Sequence, residues 1–156
     1  MTKKIVLTRL DDETFARAAE ALAEDDLELQ HAPWDDNTLD LVQSTRFDAI
    51  IIGFPGPITP LRRFVECVRA PGSACKNSGV ILLADPQHVQ AAQAFVGVGI
   101  NRAIASDNAQ ELLAASITEL AAVAPRLALR APTRVVLHLD ERPLRTFCQT
   151  ENVSAS

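Results

Sequence analysis

Two arginines near the C-terminal end, Arg130 and Arg134, stand as R-x-x-x-R, and Asn152 and Ser154 follow them as N-x-S. Guanidinium groups grip phosphate oxygens in pairs and stack on flat bases. Asn and Ser side chains near a turn can read base edges or phosphate oxygens. This set suits an anionic nucleotide. A second set is carboxylic: Asp11 and Asp12 early in the chain, and Asp85 in its middle. Adjacent carboxylates can hold a divalent cation or cap a helix, and no third ligand lies close by, so Asp11-Asp12 is read as a cap. A small Rossmann-like enzyme using Asp11, Asp12 and Asp85 stands as an alternative.

The nucleophiles and soft ligands are scattered. Cys67, Cys75 and Cys148 form no C-x-x-C pair, and none of His31, His88 and His138 has a partner at metal-ligand spacing. Reduced thiols and no metal are expected. There is no G-x-G-x-x-G after the first strand and no G-x-S-x-G elbow, which disfavours a dinucleotide cofactor and a serine hydrolase. No cofactor and no enzymatic activity are expected.

The elements that must position these residues follow from hydrophobic patterning. Residues 3–8 read as a strand, and Asp11 or Asp12 caps a helix whose inner face holds Phe15, Ala19, Leu22 and Ala23. Leu27–Ala32 is a second strand, ended by Pro33, and Asp36 or Asn37 caps a short helix with Leu39, Leu41 and Val42. Phe47–Ile52 is an apolar strand, buried on both faces, that stops at Gly53-Phe-Pro-Gly-Pro57. A helix over 59–68, a strand over 80–83, and a helix from Pro86 with Val89, Ala92, Phe95 and Val96 inside come next. Gly97 and Gly99 stop that helix, 100–105 is a fifth strand, and Asp107 or Asn108 starts a helix to about Val123. Five strand–helix units with apolar central strands predict a doubly wound, five-stranded parallel α/β sheet. Ligands in such sheets sit at the C-terminal strand ends.

Composition bounds the rest. The chain has 156 residues, 47% apolar and 22% charged, with a net charge of −5, which is globular rather than disordered. It has no apolar run of membrane-spanning length, and Arg9 and Asp11 come too early for a signal-peptide core. No membrane association and a cytoplasmic location are expected. Residues 1–123 carry 10 basic and 17 acidic side chains, whereas 124–156 carry 5 Arg and 3 acidic ones. With Pro125 and Pro132, that change marks a domain boundary at about residue 124. The acidic balance and the absence of Tyr, with Trp34 the single Trp, disfavour nucleic acid as a partner.

The string Phe47-Asp-Ala-Ile-Ile-Ile-Gly-Phe-Pro-Gly-Pro57 resembles the "Y-D-x-I-x-x-D-x-x-M-P" pattern around the phosphorylated aspartate of response regulator receiver domains. With the order of elements, it makes residues 1–123 similar to that CheY-like, flavodoxin-like family. The family's chemical landmarks are replaced. Gly53 stands at the phosphoacceptor, Arg9 and Leu10 where an acidic pair holds Mg²⁺, Ala84 at the Ser/Thr ending the fourth strand, and Ser106 at the Lys ending the fifth. Phosphoryl transfer needs a carboxylate nucleophile, a metal and a cation for the new charge. Arg9 would repel Mg²⁺ if it points into the site. Taken singly, Gly53 reads as a tight strand exit and Arg9 as a solvated edge residue. Together the four positions Arg9, Gly53, Ala84 and Ser106 imply a degenerate, non-phosphorylatable pseudo-receiver used for protein–protein interaction, a possible homodimer among its modes.

Residues 134–140 read as a strand, with Arg145–Gln149 as its hairpin partner across Glu141-Arg142-Pro143. Arg130-Ala-Pro-Thr-Arg134 before that strand, and Asn152-Val-Ser154-Ala-Ser156 after the hairpin, resemble the R-x-x-x-R and [D/N]-x-S-x-x-G motifs of PilZ domains. The resemblance implies cyclic di-GMP as ligand, bound by Arg130, Arg134, Asn152 and Ser154. The motif's glycine would come next after Ser156. Residues 124–156 are thus expected to be a linker and the start of an incomplete PilZ-like β domain. The whole reads as a non-enzymatic bacterial signalling adaptor in two-component signal transduction. A partner-docking or homodimerising pseudo-receiver that binds no nucleotide is the other reading.

Overall fold

The computed structural model describes residues 2–23 and 26–122 and the strands 134–139 and 142–147. Its elements in order are β1 Lys3–Thr8, α1 Asp12–Ala21, β2 Leu27–Ala32, α2 Asp36–Ser44, β3 Ala49–Phe54 and α3 Ile58–Arg69. There follow β4 Gly79–Ala84, a 3₁₀ turn Pro86–His88 leading into α4 Val89–Gln93, β5 Arg102–Ala105, a second 3₁₀ turn Ser106–Asn108 and α5 Ala109–Ala122. Strands β1 to β5 form one parallel sheet in the order β2-β1-β3-β4-β5. This is the doubly wound α/β sheet expected. β6 Arg134–Leu139 and β7 Arg142–Phe147 form a separate antiparallel hairpin. The chain divides into units at 1–123 and 124–156.

Every residue of β3 and β4 is buried, because the strand period of two sends alternate side chains into two helical layers. Ile50, Ile52, Phe54, Val80 and Leu82 pack with Val42, Leu61, Phe64 and Val68 on one face. Ile51, Ala49, Ile81 and Leu83 pack with Ala18, Leu22, Leu113 and Ile117 on the other.

Several boundaries differ from the sequence reading. β3 runs two residues further, with Gly53 paired to Leu83 and Phe54 to Ala84. Gly53 is therefore not a strand exit. Helix α2 is capped by Asp35, whose side chain accepts from Thr38 N, rather than by Asp36 or Asn37. In α1 the buried face holds Ala18 and Leu22, while Ala23 is exposed. Helix α4 is a single short stretch, and Val96 lies outside it at 36% exposure. Gly97 and Gly99, at φ 91° and 85°, turn the chain after it. The second hairpin strand begins at Arg142, paired to Leu139, not at Arg145.

The opposite edge of the sheet is held by Arg69 at the end of α3. Its guanidinium donates to the carbonyls of Gly99, Lys76 and Ser78 and to Asn101 Oδ1. Asn101 Oδ1 also accepts from Val80 N at 2.8 Å. One side chain thus ties α3 to the entries of β4 and β5.

Candidate functional site

The C-terminal ends of β1, β3, β4 and β5 lie side by side in the parallel register, and the first-strand loop bends sharply there. Arg9, directly after β1, has φ 58°. A non-glycine residue in the left-handed region costs about 1–2 kcal/mol, so the surroundings must enforce it. Two glycines leave the room that this conformation takes. A Cβ placed on Gly53 would overlap the Arg9 carbonyl oxygen and lie 2.9 Å from its carbonyl carbon and 3.0 Å from Leu10 Cδ2. A Cβ placed on Gly56 would fall inside the Arg9 guanidinium. Gly53 therefore serves close backbone approach, a constraint from another strand's loop.

The Arg9 side chain reaches across the edge. Its Nη1 donates to the Pro57 carbonyl at 3.2 Å, and its Cζ lies 5.1 Å from the centre of the Trp34 ring. Trp34 packs in turn on Phe64, with ring centroids 4.9 Å apart. The preceding Pro33 accepts through its carbonyl from the hydroxyls of Thr8 and Thr38. Arg9 is thus half-buried, not a solvated edge residue. Burial lowers its pKa, and its Nη2 is buried without a hydrogen-bond partner among the described residues. The charge lies towards Trp34 and Pro57.

The other landmark positions are placed as follows. Ala84 is the last residue of β4 and fully buried, and Ser106, 6% exposed, opens the turn after β5. Ser106 borders a cleft of about 430 Å³ with Asp11, Thr14, Arg17, Asp85 and Gln87. Asp11 caps α1, accepting from Thr14 N at 2.7 Å, and that backbone bond leads the causes that pull its carboxyl below the ordinary aspartate range. Asp85 Oδ2 lies 3.8 Å from His88 Nδ1. The structure brings Asp11 and Asp85 to one cleft and leaves Asp12 off its lining. Among the described residues no group of three or more His, Cys, Asp or Glu is placed to hold a metal.

Cys67 is half-buried in α3, and Cys75 is buried, its thiol donating to the Thr45 carbonyl and accepting from Phe47 N. Cys75 is thereby a packing residue. His31 lies on the Phe15 ring at 4.3 Å. Arg130, Asn152, Ser154 and Cys148 lie outside the described residues, and Arg134 is the first residue of β6. No described helix is long and apolar enough to cross a membrane.

The order β2-β1-β3-β4-β5, with helices on both faces, finds counterparts among solved structures. The chemotaxis response regulator CheY4 of Vibrio cholerae matches with a TM-score of 0.62 and 19% identity, over 77% of this chain and 99% of that one. The fold is that of a receiver domain. The receiver domain of a signal transduction histidine kinase from Syntrophus aciditrophicus matches at TM-score 0.61 and 19% identity, over 80% and 94% of the two chains. A Rhodopirellula baltica chain described as an adenylate cyclase also matches, at TM-score 0.57 and 17% identity, over 78% and 88%. The receiver fold thus carries different labels in different proteins, and function has to be argued from the site. No family model matches the sequence. No curated protein matches it at significant similarity.

Sequence reasoning found the strand-end positions but not how they are linked. Trp34 and Gly56 were missed as members of one group with Arg9 and Gly53. The available signal was a Gly-Phe-Pro-Gly-Pro loop beside an arginine that ends a strand. Only the tertiary contact joins them.

Proposed function

We propose that residues 1–123 are a non-phosphorylatable receiver-like module that works by binding a signalling protein, and that 124–156 open a PilZ-type segment responsive to cyclic di-GMP. The observation that carries the first part is the overlap between Arg9 and any side chain at position 53. The position offers no carboxylate, and the Arg9 main chain stands in the space a carboxylate would need. A phosphoryl group could form no acyl phosphate there. In this reading the folded sheet and helices serve as a scaffold for a protein partner, which includes a second copy of the chain. The likeness to receiver domains over nearly their full length supports a signalling role by analogy of fold.

The second part rests on Arg130 ahead of the strand β6 and Arg134 at its first position, with Asn152 and Ser154 after β7. Two guanidinium groups and two short polar side chains are the chemistry a cyclic dinucleotide requires. Calorimetric titration of cyclic di-GMP into a chain prolonged beyond Ser156 tests it. Heat of binding supports the reading. Concentration-dependent sedimentation without any nucleotide response would favour a partner-docking or homodimerising module instead.

A further inference from the structure

The residues around Arg9 belong to three separate loops, and it touches each of them. Its own backbone lies after β1, its guanidinium faces Trp34 in the loop after β2, and its Nη1 bonds Pro57 in the loop after β3. The arrangement fills its space: Gly53 faces the Arg9 carbonyl and Gly56 faces the guanidinium, with no room for a methyl at either. We propose that Arg9 is a latch that holds these three loops in one arrangement and keeps Trp34 half-covered. The inference stands apart from the partner and nucleotide assigned above.

Physical terms on both sides make the latch a separable device rather than part of the core. Favouring closure are a cation–π contact and one charge-assisted hydrogen bond. Opposing it are the left-handed backbone at Arg9, loss of hydration, and a buried Nη2 with no partner among the described residues. The helical layers do not use the Arg9 side chain. Its loss should therefore loosen the edge and spare the sheet.

Trp34 is the single Trp in a chain without Tyr, so its fluorescence reports the latch directly. The experiment compares the wild type with Arg9→Gln, which removes the charge and the planar fork. It also includes Gly56→Ala, which pushes the guanidinium out from the other side. Both variants are expected to make Trp34 more accessible to acrylamide. Far-ultraviolet circular dichroism should stay unchanged, which separates an opened latch from a misfolded chain. Wild-type quenching in Arg9→Gln would overturn the proposal.

Discussion

The carbonyl oxygen of Arg9 stands where a Cβ on Gly53 would have to go, although the two residues lie 44 positions apart. A residue type read locally as punctuation is set by the main chain of a neighbouring loop. The strand passes through it and continues to Phe54.

Gly53→Ala should destabilise the fold by about 3 kcal/mol in urea denaturation, the cost of forcing a methyl into a filled space. Gly56→Ala should also destabilise it, but by collision with a side chain. Combining each with Arg9→Ala separates the cases. Arg9→Ala should relieve Gly56→Ala and leave Gly53→Ala unrelieved, because only the first clash involves atoms that Arg9→Ala removes.

Arg69→Met should lower stability by about 3 kcal/mol, since it strips a charged donor from three carbonyls and Asn101 Oδ1 at once. Hydrogen exchange should show the loss concentrated at the entries of β4 and β5.

Asp11→Ala should cost about 1 kcal/mol at neutral pH through the lost cap on α1. The Asp11 carboxyl titrates below its ordinary range because it accepts from Thr14 N. Its contribution is therefore complete above the unfolded aspartate pKa of about 3.9 and is lost as pH falls through the lower folded value. The stability gap between wild type and Asp11→Ala should narrow on acidification below that point. A gap independent of pH would mean that the carboxylate is not the cap.

Cyclic di-GMP should bind the chain prolonged beyond Ser156, and the Arg130→Ala/Arg134→Ala pair should lose about a hundredfold in affinity, as expected for two charge-assisted contacts. Unchanged affinity in that variant would remove Arg130 and Arg134 from the site.

The order of elements and the fold were legible in the sequence because the central strands are continuous apolar runs and the helices between them keep a single apolar face. Caps were legible to within a residue. Asp35, Asp36 and Asn37 are all competent, and only the chain's path selects Asp35. The short α4 and the exposure of Val96 were not legible, since Val89, Ala92, Phe95 and Val96 keep helical spacing after the helix has ended. The site was half legible. Arg9, Gly53, Ala84 and Ser106 stood out as missing chemistry, but the positive φ of Arg9 and its reach to Trp34 and Pro57 are tertiary facts with no local signature.

In the proposed function this receiver-like edge takes no phosphoryl group. Incubation of the chain with acetyl phosphate and Mg²⁺, followed by intact-mass measurement, tests it most directly. The mass is expected to stay unchanged from that of the untreated chain. A Mg²⁺-dependent phosphoryl adduct approaching one per chain would contradict it.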